Sequence, residues 1–325
     1  KISANNLPIR NKDFIVLVLC LFYLFGLIYF YHLDSSISAT KVAPVVMKKS
    51  QDSILVVTRV HMKSATSMPA SAKVVEFIQN VSVFASHVLV CIGANSYPDA
   101  ENYIASLIST LDNIGVTKET VTLLPIFPWG YFTTALNAAI LFGQDGNYKY
   151  IMFQSLEFKI PKEEVMELTK IADREFVLVA GPAMDGHEFN EGRNVVKGRT
   201  IPWNTCAVWN LSYLALTGFP LIGDGLGTCR EIGGVEEVSA VNLLQTINPA
   251  LQAVLVHFSS KSATSSSHTS TLISEAQWQI ADFAADPARK EYHHKKMASK
   301  DERPAKQMNL MGLASGTVIH ERVII

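Results

Sequence analysis

The chain has 325 residues, enough for one large domain or two modest ones. Hydrophobic residues make up 48% and charged residues 18%, which fits a packed globular body together with a lipid-facing segment. The formal net charge is -1, and this near-neutral balance argues against nucleic acid as a partner, because binding phosphates requires a concentrated basic surface.

The N-terminal region predicts one membrane-spanning helix. Residues 14–31 form an apolar run without a charged side chain, and roughly 20 such residues span the hydrocarbon core of a bilayer. Arg10 and Lys12 precede the run, so the positive-inside rule favours a cytoplasmic N-terminus and a translocated body. We assign a cytoplasmic tail to residues 1–13, a transmembrane signal anchor to 14–33 and a stem to 34–52. A cleaved signal peptide is the alternative, although its apolar region would exceed the usual ~7–15 residues.

From residue 53 onward, short apolar runs alternate with helical patterns. The apolar runs predict strands at 54–57, 88–92, 121–126, 150–153, 176–180, 206–209 and 253–258. The helical patterns predict helices near 70–84, 100–114, 131–143, 161–173, 211–216 and 235–246. Such alternation predicts an α/β fold with a mostly parallel sheet that helices cover on both faces. The predicted catalytic domain covers residues 53–258.

Two parts of the sequence predict irregular structure. Residues 182–202 are rich in glycine and charge and predict a loop. Residues 259–325 are predicted to be a flexible Ser/Thr-rich linker or lid followed by a basic tail, because the low-complexity stretch that begins there cannot bury a core. Four cysteines are too few for a disulfide scaffold, and the sequence leaves open whether Cys206 and Cys229 pair.

Polar residues recur at the ends of the predicted strands. In doubly wound sheets, ligands bind at the carboxyl ends of the strands, near the point where the strand order reverses. The residues found there are Thr58 and Arg59 after the first strand, Gly93 after the second, Ser155 and Glu157 after the fourth, and His257 at the last. Each residue is a weak signal by itself, but their recurrence at one edge predicts a site.

Two segments resemble parts of the GT-A glycosyltransferases, especially the family 2-like group. In residues 134–164, Asn137 lies near a helix start, and Ser155-Leu156-Glu157 stands where the family has an acidic D-x-D signature. In residues 203–244, Gly218-Phe219 resembles the family's GF turn, and Glu236-Glu237 resembles the acidic pair that opens a helix. The resemblance covers residues 53–258 and implies a nucleotide-diphospho-sugar transferase fold.

The resemblance implies a donor site for a nucleotide sugar. Its residues are Thr58, Arg59, Gly93, Asn137 and Ser155, and an arginine here is suited to stack on a base or to fork onto phosphate. The resemblance also implies that Glu157 and His257 share a divalent cation, Mn²⁺ or Mg²⁺, which neutralises the leaving diphosphate. Ser155 replaces the first aspartate of the signature, which leaves the metal dependence open. The structural alternative is that Glu157 is a solvated strand-end acid and His257 an ordinary polar cap.

An acidic side chain is needed to take the proton from the acceptor hydroxyl. The resemblance implies Glu237 for this role, with Glu236 second, and the expected acceptor contacts are Trp203, Asn204 and Asp224. Acidic residues in the first turn of a helix also favour its dipole, so a purely structural role for the pair remains open. The same holds for Asp224, which lies in a Gly-Asp-Gly turn. An inverting reaction is expected, but a retaining one is not excluded.

These features together predict a membrane-anchored glycosyltransferase. It would transfer a sugar from a nucleotide-sugar donor to a glycan or glycoconjugate acceptor, in the lumen of the Golgi or endoplasmic reticulum, as a single-pass type II protein. The replacement at Ser155 keeps a second hypothesis open, a non-catalytic GT-A-like binding or scaffold protein of the secretory pathway. A nucleotidyltransferase ranks last, because no Gly-rich, Lys-ended phosphate loop follows Val57.

Overall fold

A computed structural model describes residues 53–61, 68–94, 96–115, 119–127, 129, 132–225, 235–259, 291, 295 and 297–325. The strands are β1 (Ile54–His61), β2 (His87–Gly93), β3 (Val121–Ile126), β4 (Tyr150–Gln154), β5 (Val177–Pro182), β6 (Gly192–Val195), β7 (Cys206–Asn210), β8 (Gln252–Ser259) and β9 (Thr317–Ile324). The α-helices are α1 (Ser71–Val81), α2 (Tyr97–Asn113), α3 (Phe132–Asp145), α4 (Lys162–Ala172), α5 (Leu211–Leu214), α6 (Glu236–Ile247) and α7 (Glu302–Met311). A 3₁₀ turn spans Leu221–Asp224.

The strands form one mostly parallel sheet in the order β3-β2-β1-β4-β7-β5-β8-β9-β6. Strand β1 pairs in parallel with β2 and β4, and β8 pairs in parallel with β5 and β9. Strand β7 is antiparallel between β4 and β5, and β6 is antiparallel at the edge beside β9. Every residue of β2 and β4 is buried, which requires cover on both faces of the sheet. This confirms the expected mixed α/β fold with helices flanking the sheet, an arrangement consistent with the GT-A type.

The apolar runs located the strands of the sheet centre correctly. All seven predicted strands are present, and the predicted helices agree with the observed ones to within a few residues. Strand β6 falls in the segment predicted as a loop, residues 182–202. Its sequence, GRNV, lies at the edge of the sheet and is largely exposed, so it carries no apolar pattern that would have predicted a strand.

The fold does not end at residue 258, and the predicted tail is corrected here. Helix α7 and strand β9 follow, and β9 fills the position between β8 and β6. Strand β9 buries Val318 and His320. The His320 ring donates from Nε2 to the carbonyl oxygen of Thr200 (2.8 Å) and accepts at Nδ1 from the backbone N–H of Asn190 (3.0 Å). The sequence did not predict this strand, because the Ser/Thr-rich stretch separates β9 from the other strands along the chain.

Several predictions fall on residues outside the described ranges. These are the cytoplasmic tail (1–13), the signal anchor (14–33), the stem (34–52) and Cys229. Within the described ranges, none of the helices combines the length and the apolar character needed to span a bilayer. Cys206, the possible partner of Cys229, is a buried free thiol in β7.

Asn137 fixes a turn, which corrects its expected role in the donor site. Its Oδ1 accepts from the backbone N–H of Phe219 (2.8 Å), and its Nδ2 donates to the Phe219 carbonyl oxygen (3.0 Å). Gly218 precedes that residue with a φ of 61°, a conformation that glycine adopts without strain. Because both ends of the Asn137 amide bind the turn, this side chain joins α3 to the Gly218-Phe219 turn and is not directed at a ligand.

We expect Asn137→Ala to lower the free energy of unfolding by about 2 kcal/mol, because it leaves the Phe219 N–H and carbonyl without their partner. A lower melting temperature in thermal unfolding measures this loss. Asn113→Ala, at the exposed end of α2, is the matched control and should leave the melting temperature unchanged. Equal melting temperatures for Asn137→Ala and the unmodified protein would contradict the assigned role.

Candidate functional site

The candidate site is a cavity at the carboxyl ends of β1 and β4. The chain places β2 and β3 on one side of β1 and then β4 on the other, so the strand order reverses between β1 and β4. The crevice outside such a reversal is where open α/β sheets bind ligands. A cavity of ≈ 220 Å³ lies there, lined by Val57, Arg59, Val60, His61, Pro69, Phe132, Phe153, Gln154, Ser155, Leu156, Glu157 and Asn204.

The two strand ends bring the predicted donor-site residues Arg59, Ser155 and Glu157 to one cavity. Thr58 is buried beside Arg59, and its hydroxyl has no hydrogen-bond partner within the described residues. Gly93 has a packing role, because a Cβ at this position would collide with the indole of Trp129. That indole stacks on the His61 ring, with ring centroids 5.0 Å apart, so Gly93 supports the cavity wall from behind.

Arg59 connects the cavity to the start of α6. Its Nη1 lies 3.5 Å from Oε1 of Glu236, and the two side chains are 20% and 4% exposed. Its guanidinium also lies over the Phe132 ring, 5.4 Å from the centroid. Water screens the attraction between these two charges less than it would at the surface, and removal of either partner would leave the other charge buried without compensation. Arg59 thus holds the first member of the acidic pair at the edge of the cavity.

Glu237 is buried next to the same cavity. Its Oε1 accepts a hydrogen bond of 2.6 Å from the backbone N–H of Asn204, a residue that lines the cavity. Burial raises the pKa of Glu237 above the ordinary carboxylate value, and the adjacent Glu236 carboxylate raises it further. Both members of the acidic pair therefore contact a residue that lines the cavity.

The side chain of Asn204 is held by one end only. Its Oδ1 accepts from the indole N–H of Trp209 (2.9 Å), which fixes the orientation of the amide. Its Nδ2 is buried and has no hydrogen-bond partner within the described part of the chain. This unpaired donor makes Asn204 a candidate ligand contact, and its expected role in binding the acceptor stays a prediction.

Asp224 anchors a helix through one carboxylate oxygen, and its expected contact with the acceptor stays a prediction. Its Oδ2 accepts from both the backbone N–H (2.6 Å) and the hydroxyl (2.5 Å) of Thr133, in the first turn of α3. Burial raises the pKa of Asp224, and the hydrogen bonds from Thr133 oppose that shift. A carboxylate at a helix N-terminus satisfies free N–H groups and stabilises the helix dipole. The structural alternative therefore describes Asp224, with α3 as the helix it caps.

Trp203 was expected to stack on the acceptor, and the structure corrects this. Its side chain is only 4% exposed, and its Nε1 donates to the Gly198 carbonyl oxygen (2.7 Å). The His187 ring stacks on it at 3.7 Å, and the Lys300 ammonium lies 3.4 Å from the centroid of one of its rings. A ring occupied in this way has no face available for a sugar.

Glu157 and His257 are not brought together. Strands β7 and β5 lie between β4 and β8, which separates β4 from β8 by about 14 Å at the usual strand spacing. The His257 ring packs against Phe189, 5.4 Å away. Burial lowers the pKa of His257, and the Arg322 charge lowers it further. The expected sharing of one ion by these two side chains is therefore corrected, because His257 lies outside the group of residues around the cavity.

The cavity residues are suited to hold a cation through one carboxylate, and they do not form a complete set of protein ligands around it. Among the residues that the structure describes, no group of three or more His, Cys, Asp or Glu side chains is arranged to hold a metal ion. Glu157 and Ser155 nevertheless present a carboxylate and a hydroxyl to the cavity. Mg²⁺ is commonly bound by one or two carboxylates together with the phosphates of a ligand, and this donor set matches that mode.

The residues that sequence reasoning missed include Phe132 in the cavity wall and Lys300, which packs against Trp203. Phe132 lines the cavity under Arg59 and makes an edge contact with His61. Lys300 contacts Trp203 from the segment predicted to be a tail. Neither residue lies at the end of an apolar run, which was the signal used to find the others.

No protein-family model matches the chain, and no curated protein matches it. The mannosyltransferase PcManGT from Pyrobaculum calidifontis, solved with GDP-Man and Mn²⁺, is similar at 12% identity and a TM-score of 0.40, over 71% of this chain and 63% of that one. S. aureus TarS 1-349 is similar at 13% identity and 0.37, over 58% and 54%. GalNAc-T7 with UDP, GalNAc and Mn²⁺ is similar at 8% and 0.30, over 40% and 23%. The chain thus spans less than two thirds of the length of each of these three solved chains.

Proposed function

We propose that this protein is a glycosyltransferase that transfers a sugar from a nucleotide-sugar donor to a hydroxyl group of a glycan or glycoconjugate. One observation carries the proposal. The cavity at the reversal of strand order contains Arg59, Ser155 and Glu157, and it borders the acidic pair that opens α6. A cation for phosphate, a carboxylate for a metal ion and a buried acid for proton transfer are the groups that this reaction needs.

The donor is proposed to lie along the ends of β1 and β4. Arg59 is suited to bind its diphosphate or stack on its base, since a guanidinium does both. Glu157, with Ser155 beside it, would hold Mn²⁺ or Mg²⁺ together with the diphosphate. When bound, such an ion neutralises the charge that develops on the leaving nucleoside diphosphate.

Glu237 is proposed to act as the general base, with Glu236 holding Arg59 in place. In the inverting reaction, the acceptor oxygen bonds to the anomeric carbon as the bond to the diphosphate breaks, and Glu237 takes the hydroxyl proton. Its raised pKa brings it closer to neutral pH, where a general base is most effective. The Asn204 amide would orient the acceptor hydroxyl.

We further propose that the enzyme is a single-pass type II membrane protein of the Golgi or endoplasmic reticulum, with its catalytic domain in the lumen. The apolar run in residues 14–33 and the positive charges that precede it support this placement. Glycans and glycoconjugates in the same compartment would then be its acceptors.

Glu237→Gln should lower the rate of sugar transfer by about 10²–10⁴-fold, because an amide cannot accept the proton. The variant should remain folded, with a melting temperature at pH 8 equal to or above that of the unmodified protein. Since the pKa of Glu237 is raised on folding, its contribution to stability is present at low pH and is lost as the pH rises through the folded pKa.

Glu163→Gln, in the exposed first turn of α4, is the matched control and should keep full activity. Transfer by Glu237→Gln at the rate of this control would exclude Glu237 as the base.

Nucleotide binding should raise the melting temperature of the full chain, because a ligand that binds only the folded state stabilises it by about 2.7 kcal/mol at a concentration of 100 Kd. UDP, GDP and CMP, each with and without Mn²⁺, are the probes. We expect a shift for one nucleotide that requires Mn²⁺, and its loss in Glu157→Ala.

The same experiment separates the two functional hypotheses. A shift accompanied by hydrolysis or transfer of the matching nucleotide sugar supports the enzyme. A shift without turnover of any common donor supports a non-catalytic binding protein. No shift with any of the three nucleotides contradicts the proposed donor site.

A further inference from the structure

We propose that Lys300 is a positioning residue for Glu237 and that residues 297–325 are therefore part of the catalytic unit. This inference rests on the proposed role of Glu237 as the base. Lys300 lies in a segment whose sequence predicts only a basic tail, and none of the roles assigned above to the cavity includes it.

The burial of Lys300 is the first observation. Only 6% of this residue is exposed, and lysine is almost never buried to this degree unless it is paired. Its ammonium lies 3.4 Å from the centroid of a Trp203 ring, a cation–π contact that is strengthened when water is excluded. A solvated tail would leave this charge in water, so its burial indicates a partner of opposite charge nearby.

Glu237 is a buried carboxylate on which the Lys300 charge acts. Trp203 carries the Lys300 ammonium, and the next residue, Asn204, donates its backbone N–H to the Glu237 carboxylate. Two consecutive residues thus contact the cation and the anion. The Lys300 charge lowers the pKa of Glu237, against the larger effect of burial and the effect of Glu236.

The neighbouring segment holds Lys300 firmly in place. A Cβ at Gly198 would collide with the Lys300 carbonyl, so the two backbones are in direct contact. Arg199 donates its backbone N–H to Asp301 (3.1 Å) and its Nη2–H to the Met297 carbonyl oxygen (3.0 Å). Gly198 also accepts the hydrogen bond from the Trp203 indole (2.7 Å). The loop that positions Trp203 and Asn204 therefore also positions Lys300.

The charges around the acidic pair require a second cation. Glu236 and Glu237 are consecutive, and Asp224 lies close enough to Glu236 for their charges to interact. Arg59 pairs with Glu236, which leaves Lys300 to balance Glu237. His187 does not contribute a positive charge, because burial, followed by the repulsion of Lys300, lowers its pKa to about 3. Lys300 thus favours the ionised form of Glu237, which is the form that accepts a proton, because its charge lowers the pKa of this carboxyl.

The first test is the pH dependence of kcat/KM for sugar transfer. In Lys300→Met, the acid limb should move to higher pH by about one unit, because one unit corresponds to a tenfold change in the protonation equilibrium. Activity at pH 6 should fall about tenfold and should recover as the pH is raised, while the KM for the donor stays unchanged. Lys300→Arg, which keeps the charge, should restore most of the profile.

Lys306 is an exposed residue of α7 that pairs with Glu302. The control variant Lys306→Met should keep the pH profile of kcat/KM of the unmodified protein. An unmoved acid limb in Lys300→Met, or a loss that alkaline pH does not restore, would overturn the inference.

A second test needs no enzymatic activity and keeps the inference separate from the proposed function. Melting temperatures are measured at pH 8 for Lys300→Met, Glu237→Gln and the double variant. Lys300→Met should lower the melting temperature more in the unmodified background than in the Glu237→Gln background, because only the former has a carboxylate to pair. Equal losses in the two backgrounds would show that Lys300 does not interact with Glu237, whereas absence of turnover in the unmodified protein would contradict only the proposed function.

Discussion

Three carboxylates buried beside the candidate site are the constraint on which the rest of this structure depends. Asp224, Glu236 and Glu237 are each at most 6% exposed, and an unpaired charge in such a position would destabilise the fold by several kcal/mol. Each has a different compensating partner. Thr133 binds Asp224, Arg59 pairs with Glu236, and the Asn204 N–H together with Lys300 stabilises Glu237. These partners come from distant parts of the chain, so the acidic centre joins β1, α3, α6 and the C-terminal segment.

Around these carboxylates, several buried polar atoms lack a hydrogen-bond partner among the residues that the structure describes. Buried side-chain atoms without a hydrogen-bond partner within the described residues include the Thr58 hydroxyl, the Asn204 amide nitrogen and Oε2 of Glu236. Most buried polar groups in proteins are paired, and exceptions concentrate where a ligand completes the network. The sheet beneath compensates for this cost with runs of buried apolar residues in β1, β2 and β4. The buried apolar residues of the sheet thus stabilise the fold, whereas the unpaired polar groups at the carboxyl ends of its strands destabilise it.

The sequence predicted the sheet well because its central strands are continuous apolar runs, a strong and local signal. Strand ends in a parallel sheet meet at one edge, and this rule predicted that Arg59, Ser155 and Glu157 lie close together. The acidic pair was predicted from the family resemblance alone. The sequence did not predict the roles of Asn137 and Asp224. Their partners, Phe219 and Thr133, are 82 and 91 residues away, and no pattern within either segment indicates the contact.

Side-chain burial was the other feature that could not be predicted from the sequence. Trp203 is an aromatic residue of the type that stacks on ligand rings. Only the packing of His187 and Lys300 against it shows that its faces are occupied. The sequence of strand β9, TVIHERVI, has no regular alternation of apolar and polar residues, and its place in the sheet depends on two strands that lie earlier in the chain. Long-range pairing of this kind cannot be inferred from a local period.

The position of β9 also determines the order in which the molecule can assemble during synthesis. Strand β6 pairs only with β9 in the described sheet, so it is without a neighbour until more than 120 further residues have left the ribosome. Pairing between segments so distant in sequence is slow, because a large loop must close before the contacts form. Lys300 and Asp301 precede α7, the helix before β9, and they are bound by the loop that follows β6. The nascent chain can therefore form its central strands early, whereas the three carboxylates gain the Lys300 charge only after the segment that follows β8 has been synthesised.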